Sequence, residues 1–169
     1  PDYQLLSYNI RGNIKVSFVI LKKDGLYSLF NMCNGVFVLS ECEEIRLSVP
    51  PTHDHFNRYS DKWAPSFIAK KNGKYGLLDK WGTQKLDFEW DNIIPGCKGF
   101  IVTYNKKRGY YTFSNGWLTD CIYDEFITTS WSIKGVINGK EEETQKSKQQ
   151  YTKINGNFSK IYINTYTTK

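Results

Sequence analysis

The chain has two histidines, His53 and His55, and they flank Asp54. Residues two apart on a strand point to the same side, so this pair could share a metal ion through its imidazole nitrogens. No third or fourth ligand stands at metal-site spacing, and Pro50-Pro51 makes the region a loop. A solvated loop is therefore expected, and no metal or cofactor is assigned. The four cysteines, Cys33, Cys42, Cys97 and Cys121, form no C-x-x-C pair. Free thiols are expected, with one or two disulfides left open for an exported protein. A nucleophile made of a cysteine with His53 or His55 has no local signature here. The chain also lacks G-x-S-x-G, H-E-x-x-H, a P-loop and G-x-G-x-x-G. No catalytic residue is assigned, and the expectation is a protein that is not an enzyme.

Two groups of side chains suggest binding instead. Lys22-Lys23, Lys70-Lys71 and Lys106-Lys107-Arg108 recur beside Asp-Gly, Asn-Gly and Asn-Lys turn signals. If equivalent turns share an edge, these seven charges form a candidate anion-binding rim for nucleic acid or an anionic polysaccharide. The plainer reading is that lysines keep strand ends soluble and block edge pairing. The formal charge of +6 fits either reading, because net charge speaks to solubility and partners rather than to fold. Aromatics make up 16% of the chain. Most are expected in the core, where such rings contribute the most burial. Trp81 and Trp117 stand at or beside turns and form the candidate aromatic platform for stacking on sugars or bases.

The elements that carry these residues repeat. Phe67 to Ile94 aligns without a gap on Phe100 to Ile127, a shift of 100 − 67 = 33 residues. Asn72/Asn105, Lys74/Lys107, Gly76/Gly109 and Asp87/Asp120 coincide, and Trp90 falls on Tyr123. An earlier copy places Lys22-Lys23-Asp24-Gly25 on Lys70-Lys71-Asn72-Gly73, a shift of 70 − 22 = 48. A fixed period of this size marks units that bury their apolar faces against neighbours. Asn-Gly between alternating apolar residues signals a β-hairpin, and alanine occurs only at Ala64 and Ala69, so helix is not expected. The fold class is all-β: tandem antiparallel β-meander or hairpin repeats in a short solenoid or a partly open barrel. One repeat-built domain over 1–169 is expected, with units at about 16–48, 66–98 and 99–131 and a degenerate one at 132–169. Residues 49–65 read as an inserted loop.

Gly73-Lys74-Tyr75-Gly76-Leu77-Leu78-Asp79-Lys80-Trp81-Gly82, followed by Trp90-Asp91-Asn92-Ile93, resembles the bacterial WG repeat. Its tryptophan is absent from all three units. Tyr27 and Tyr75 replace it in two, and Arg108 stands there in the third. The resemblance covers about residues 15–140. It implies β-rich tandem units that bind other molecules, and no catalytic residues. Gly109 to Trp117 is also similar to choline- and glucan-binding hairpins, but those recur at a shorter interval.

The functional expectation is a non-enzymatic interaction module with a protein partner, or alternatively one that binds polysaccharide or nucleic acid through the rim and platform. No apolar run approaches the ~20 residues of a membrane helix, so no membrane insertion is expected. No signal peptide is visible, but the first residue is Pro1 rather than Met, which leaves a removed targeting segment open and the compartment unassigned.

Overall fold

A computed structural model describes residues 2–10, 14–48, 66–96, 99–128, 133–143, 149–154 and 157–162, with side chains at 18–48, 66–96, 99–127 and 133–142. The described residues form strands and turns without a helix, as the aromatic-rich, alanine-poor sequence predicts. The chain divides into two compact units, Pro1–Pro95 and Gly96–Lys169. The inserted segment 49–65, with His53 and His55, lies outside the described residues.

In the first unit, β1 (Asp2–Ile10), β2 (Ile14–Lys23), β3 (Leu26–Asn31) and β4 (Val36–Cys42) form one sheet in chain order. β5 (Glu44–Leu47), β6 (Phe67–Lys71), β7 (Lys74–Leu78) and β8 (Gln84–Trp90) form a second. β9 (Asn92–Pro95) ends the unit. In the second unit, β10 (Phe100–Tyr104), β11 (Lys107–Thr112) and β12 (Gly116–Tyr123) form a meander. β13 (Glu125–Thr128), β14 (Ile133–Ile137) and β15 (Lys140–Glu143) form the next. β16 (Gln149–Ile154) and β17 (Asn157–Tyr162) make a last hairpin. Every pairing is antiparallel within its hairpin or meander, and none of these sheets closes into a barrel. After the last strand of a meander the chain moves on to begin the next sheet instead of returning to its own first strand.

That step is a departure from the sequence reading. Ile45 and Phe126 belong to the acidic-aromatic tails of their repeats, yet β5 pairs with β6 and β13 with β14, the first strands of the following repeats. The polar stretch from Glu141 to Lys148 reads as a solvated turn, a mobile segment or a helical turn; its first three residues instead belong to β15, and 144–148 lie outside the described residues.

The turns explain the register. Asp24-Gly25, Asn72-Gly73 and Asn138-Gly139 all have positive φ at both positions, the twist-matched hairpin geometry that Asn, Asp and Gly tolerate. Asn105-Lys106 adopts it too, with φ of 65° at Lys106 where the other three turns have glycine. A bulge recurs on the return strand, between Tyr27/Leu29, Tyr75/Leu77 and Arg108/Tyr110. Two cores result. Phe18, Ile20, Leu29 and Cys42 of the first sheet meet Ile45, Phe67, Ala69 and Leu78 of the second. Ile101, Tyr110 and Tyr123 meet Phe126, with Ile133 and Ile137 packed against them.

Candidate interaction surface

The repeated polar residues serve the architecture first. Asn31, Asp79 and Thr112 occupy one position of the repeat and each closes the second turn of its meander. The Cys33 N–H donates to Asn31 Oδ1 at 2.8 Å. The Trp81 and Thr83 N–H groups donate to Asp79 Oδ1, both at 2.9 Å. The Asn115 N–H donates to Thr112 Oγ1 at 3.1 Å. A short side-chain acceptor mimics a backbone turn here, which accounts for the aspartate in the Leu-Leu-Asp run.

The acids at the repeat ends do comparable work. Asp124 accepts the Asn138 N–H at 2.9 Å and pairs with Lys107. Glu43 accepts the Gly73 N–H at 2.7 Å and pairs with Lys70 at 3.3 Å. The recurrence of Asp91 and Asp124 beside an aromatic suggests acceptors for N–H bonds in the turn joining repeats. The bond instead reaches the hairpin turn of the following repeat. Lys107, then the Asn138 N–H, hold the Asp124 carboxyl below the usual carboxylate range. The Gly73 N–H, then Lys70, do the same for Glu43. A depressed folded-state pKa contributes stability above the unfolded-state value that disappears as pH falls through the folded-state value. Asp124→Asn is therefore expected to lower the urea midpoint at neutral pH, with the gap from the native chain closing in acid. A gap that persists unchanged well below the carboxylate range would count against this role.

All seven rim residues stand beside first hairpin turns, as expected: Lys22 and Lys23 end β2, Lys70 and Lys71 end β6, and Lys106, Lys107 and Arg108 bridge into β11. Several are engaged. Besides the two ion pairs, Lys71 Nζ donates to the Ser40 carbonyl at 3.0 Å. Lys22 Nζ lies 5.2 Å from the Tyr27 ring centroid, and Lys70 Nζ lies 5.8 Å from that of Tyr75. Among the described residues, Lys23, Lys106 and Arg108 have no acidic partner. Four of the seven rim residues lie in the first unit and three in the second.

The two tryptophans part company. Trp81 is exposed on the turn that Asp79 organises, with Lys80 Nζ 5.7 Å from its ring centroid. Trp117 is half-buried, edge-on to Tyr111 with centroids 5.6 Å apart. A Cβ at Gly109 would come within 2.9 Å of its ring. Trp117 therefore roofs the repeat's glycine, and its expected exposure is corrected. Phe88 covers Gly76 in the same way. Trp90, Tyr110 and Tyr123 are core residues, as expected for most of the aromatics.

Cys33, Cys42 and Cys121 are free thiols, and burial pushes the Cys42 thiol up. Cys97 lies outside the described residues. Among the described residues, no three His, Cys, Asp or Glu side chains are grouped to hold a metal ion. No helix of the described residues is long and apolar enough to cross a membrane.

Apart from Trp81, which sequence reasoning placed at an exposed turn, what it missed is a set of exposed apolar side chains. Phe37, Trp81, Tyr104, Phe113 and Ile122 are all exposed. The equivalent positions in a neighbouring repeat hold Gln84, Ser114, Lys71, Lys80 and Glu89: Phe37 faces Phe30 as Gln84 faces Leu78, and the other four follow the shift of 33 (81 + 33, 104 − 33, 113 − 33 and 122 − 33). The signal was present in the alignment of the repeats, in the positions that fail to repeat. No family model matches the chain, and no curated protein or solved structure matches it.

Proposed function

We propose that the chain is a non-enzymatic interaction module, built on degenerate WG-type repeats, that binds a protein partner through exposed apolar side chains and open strand edges. One observation carries the reading. At positions where a neighbouring repeat places a charged or polar residue, Phe37, Trp81, Tyr104, Phe113 and Ile122 put large apolar groups into solvent. Exposed apolar surface on a folded domain marks interaction sites, and interface centres favour aromatic anchors. The residues that do recur, Asp79 and Asp124 among them, are occupied in turns and ion pairs. The WG-type assignment is supported by the glycines at 76 and 109, each lying beneath an aromatic ring.

The alternative, a polysaccharide or nucleic-acid ligand, draws on Lys23, Lys106, Arg108 and the exposed Trp81. A glycan array and an RNA or heparin binding assay titrated with salt separate the two. Blank results in both, together with selection of specific clones from a displayed peptide library, are expected. A polyanion complex whose affinity drops steeply with salt, as counterion release requires, would replace the protein-partner reading.

A further inference from the structure

Two hairpin turns of the chain hold the same pair of residues. Asn72-Gly73 joins β6 to β7, and Asn138-Gly139 joins β14 to β15, twice the period further on (138 − 72 = 66). Their backbones match as well: φ is 52° and 75° in the first turn, 52° and 74° in the second. All four residues are exposed.

What differs is the N–H that the neighbouring acid takes up. Glu43 and Asp124 stand at one position of the repeat (124 − 43 = 81, or 48 + 33). Their backbones are anchored alike. The Glu43 N–H donates to the Lys70 carbonyl at 2.8 Å, and the Asp124 N–H to the equivalent Val136 carbonyl at 2.9 Å (136 − 70 = 66). From that anchor the longer glutamate reaches the second residue of its turn, accepting the Gly73 N–H at 2.7 Å. The aspartate, one methylene shorter, stops at the first and accepts the Asn138 N–H at 2.9 Å. The Gly139 N–H has no acceptor among the described residues.

That N–H matters because an asparagine followed by glycine can modify itself. The glycine's backbone nitrogen gives up its proton and attacks Cγ of the asparagine. A C–N bond forms, the side-chain nitrogen leaves with the proton as ammonia, and a succinimide ring remains. Water opens the ring at either carbonyl, giving aspartate or isoaspartate. Glycine favours the step because it has no side chain to crowd the ring. A carboxylate that accepts the glycine N–H keeps the proton in place, and its charge opposes an anionic nitrogen. Two further Asn-Gly pairs are restrained in other ways. The Gly35 N–H donates to the Asn31 carbonyl at 2.9 Å, and Gly116 is paired with Thr112 in the β11–β12 ladder. Asn155-Gly156 lies outside the described residues.

We propose that Asn138 is a site of self-modification, converting to aspartate and isoaspartate while Asn72, Asn34 and Asn115 are retained. This goes beyond the protein-partner reading and does not depend on it. Aspartate suits the turn, since Asp24 holds the equivalent place before Gly25 (72 − 24 = 48). Isoaspartate routes the main chain through the side chain and lengthens a two-residue turn. It therefore disturbs the register of β14 with β15, which that turn sets.

The test is incubation of the full chain in mildly alkaline buffer, with aliquots digested and each Asn-Gly peptide followed by mass spectrometry. Electron-transfer fragmentation scores isoaspartate separately from aspartate. Asn138 is expected to convert about tenfold faster than Asn72, the order of effect of a hydrogen bond to a charged group. Two swaps that keep the charge test the cause. Asp124→Glu is expected to extend the acid to the Gly139 N–H and slow conversion at Asn138. Glu43→Asp is expected to release the Gly73 N–H and speed conversion at Asn72. Circular dichroism and urea midpoints check that each variant folds as the native chain does. Equal rates at Asn72 and Asn138, or rates that both swaps leave unmoved, would overturn the proposal.

Discussion

Replacing Phe67 with alanine is expected to cost about 3–5 kcal/mol of folding stability, the range for truncating a buried aromatic side chain. Phe67 is fully buried at the start of β6. Its ring meets Phe18 of the first sheet edge-on, with centroids 4.9 Å apart and planes at 65°. It therefore joins two meanders across their shared core rather than filling space within one. Deleting it removes the transfer free energy of the ring and leaves a cavity lined by residues on two sheets, which cannot easily collapse together. Urea unfolding measures the effect as a drop in midpoint at constant slope. Phe37→Ala serves as the contrast: that ring is exposed, and its loss is expected to stay within about 0.5 kcal/mol. Comparable costs at the two sites would mean that the meanders do not share the core described.

How much of this was legible in the sequence depended on whether a residue's role was local. The hairpin turns were legible, since Asn72-Gly73 and Asn138-Gly139 can adopt positive φ whatever surrounds them. The all-β class followed from the same local chemistry. Strand partners were not local. Nothing in Glu44-Ile45-Arg46-Leu47 states that it pairs with a strand beyond the 49–65 insertion, yet Ser48 and Ser66 meet through backbone and side chain at its two ends. Gly96 and Gly99 make the equivalent backbone bond around a gap of only two residues. Alternation also failed at Phe67-Ile68-Ala69, because all three are buried. A strand covered on both faces has no polar side to reveal its period. The basic rim was legible as a pattern but not in its consequence. The sequence places Lys70 and Lys107 beside turns, whereas only the fold brings Glu43 and Asp124 to them. Trp117 was misjudged for a related reason: the bulge that lays its ring over Gly109 is a property of the paired strands.

The size match between successive meanders leads to the last expectation, that Gly135→Ala destabilises the second unit by about 1–3 kcal/mol or more. Alanine usually stabilises relative to glycine, by roughly 0.4–1 kcal/mol, because it narrows the unfolded ensemble. Here the opposite sign is expected. A Cβ at Gly135 would lie 2.1 Å from Cδ1 and Cε1 of Tyr123, well inside contact distance, and Tyr123 is fully buried and cannot swing out. The repeat shows how such a clash is otherwise resolved. Gly135 occupies the place of Ala69 (135 − 69 = 66, twice 33), and Tyr123 that of Cys42 (123 − 42 = 81, or 48 + 33). In the first core Cys42 and Ala69 are packed in one cluster. The small Cys42 thus goes with the methyl of Ala69, and the Tyr123 ring with the bare backbone of Gly135. Tyr123→Cys alone should cost stability by opening a cavity. Combined with Gly135→Ala it should recover much of the loss from that variant, a coupling that a double-mutant cycle measures directly. Strictly additive losses would show that the ring and the glycine are not one packing decision.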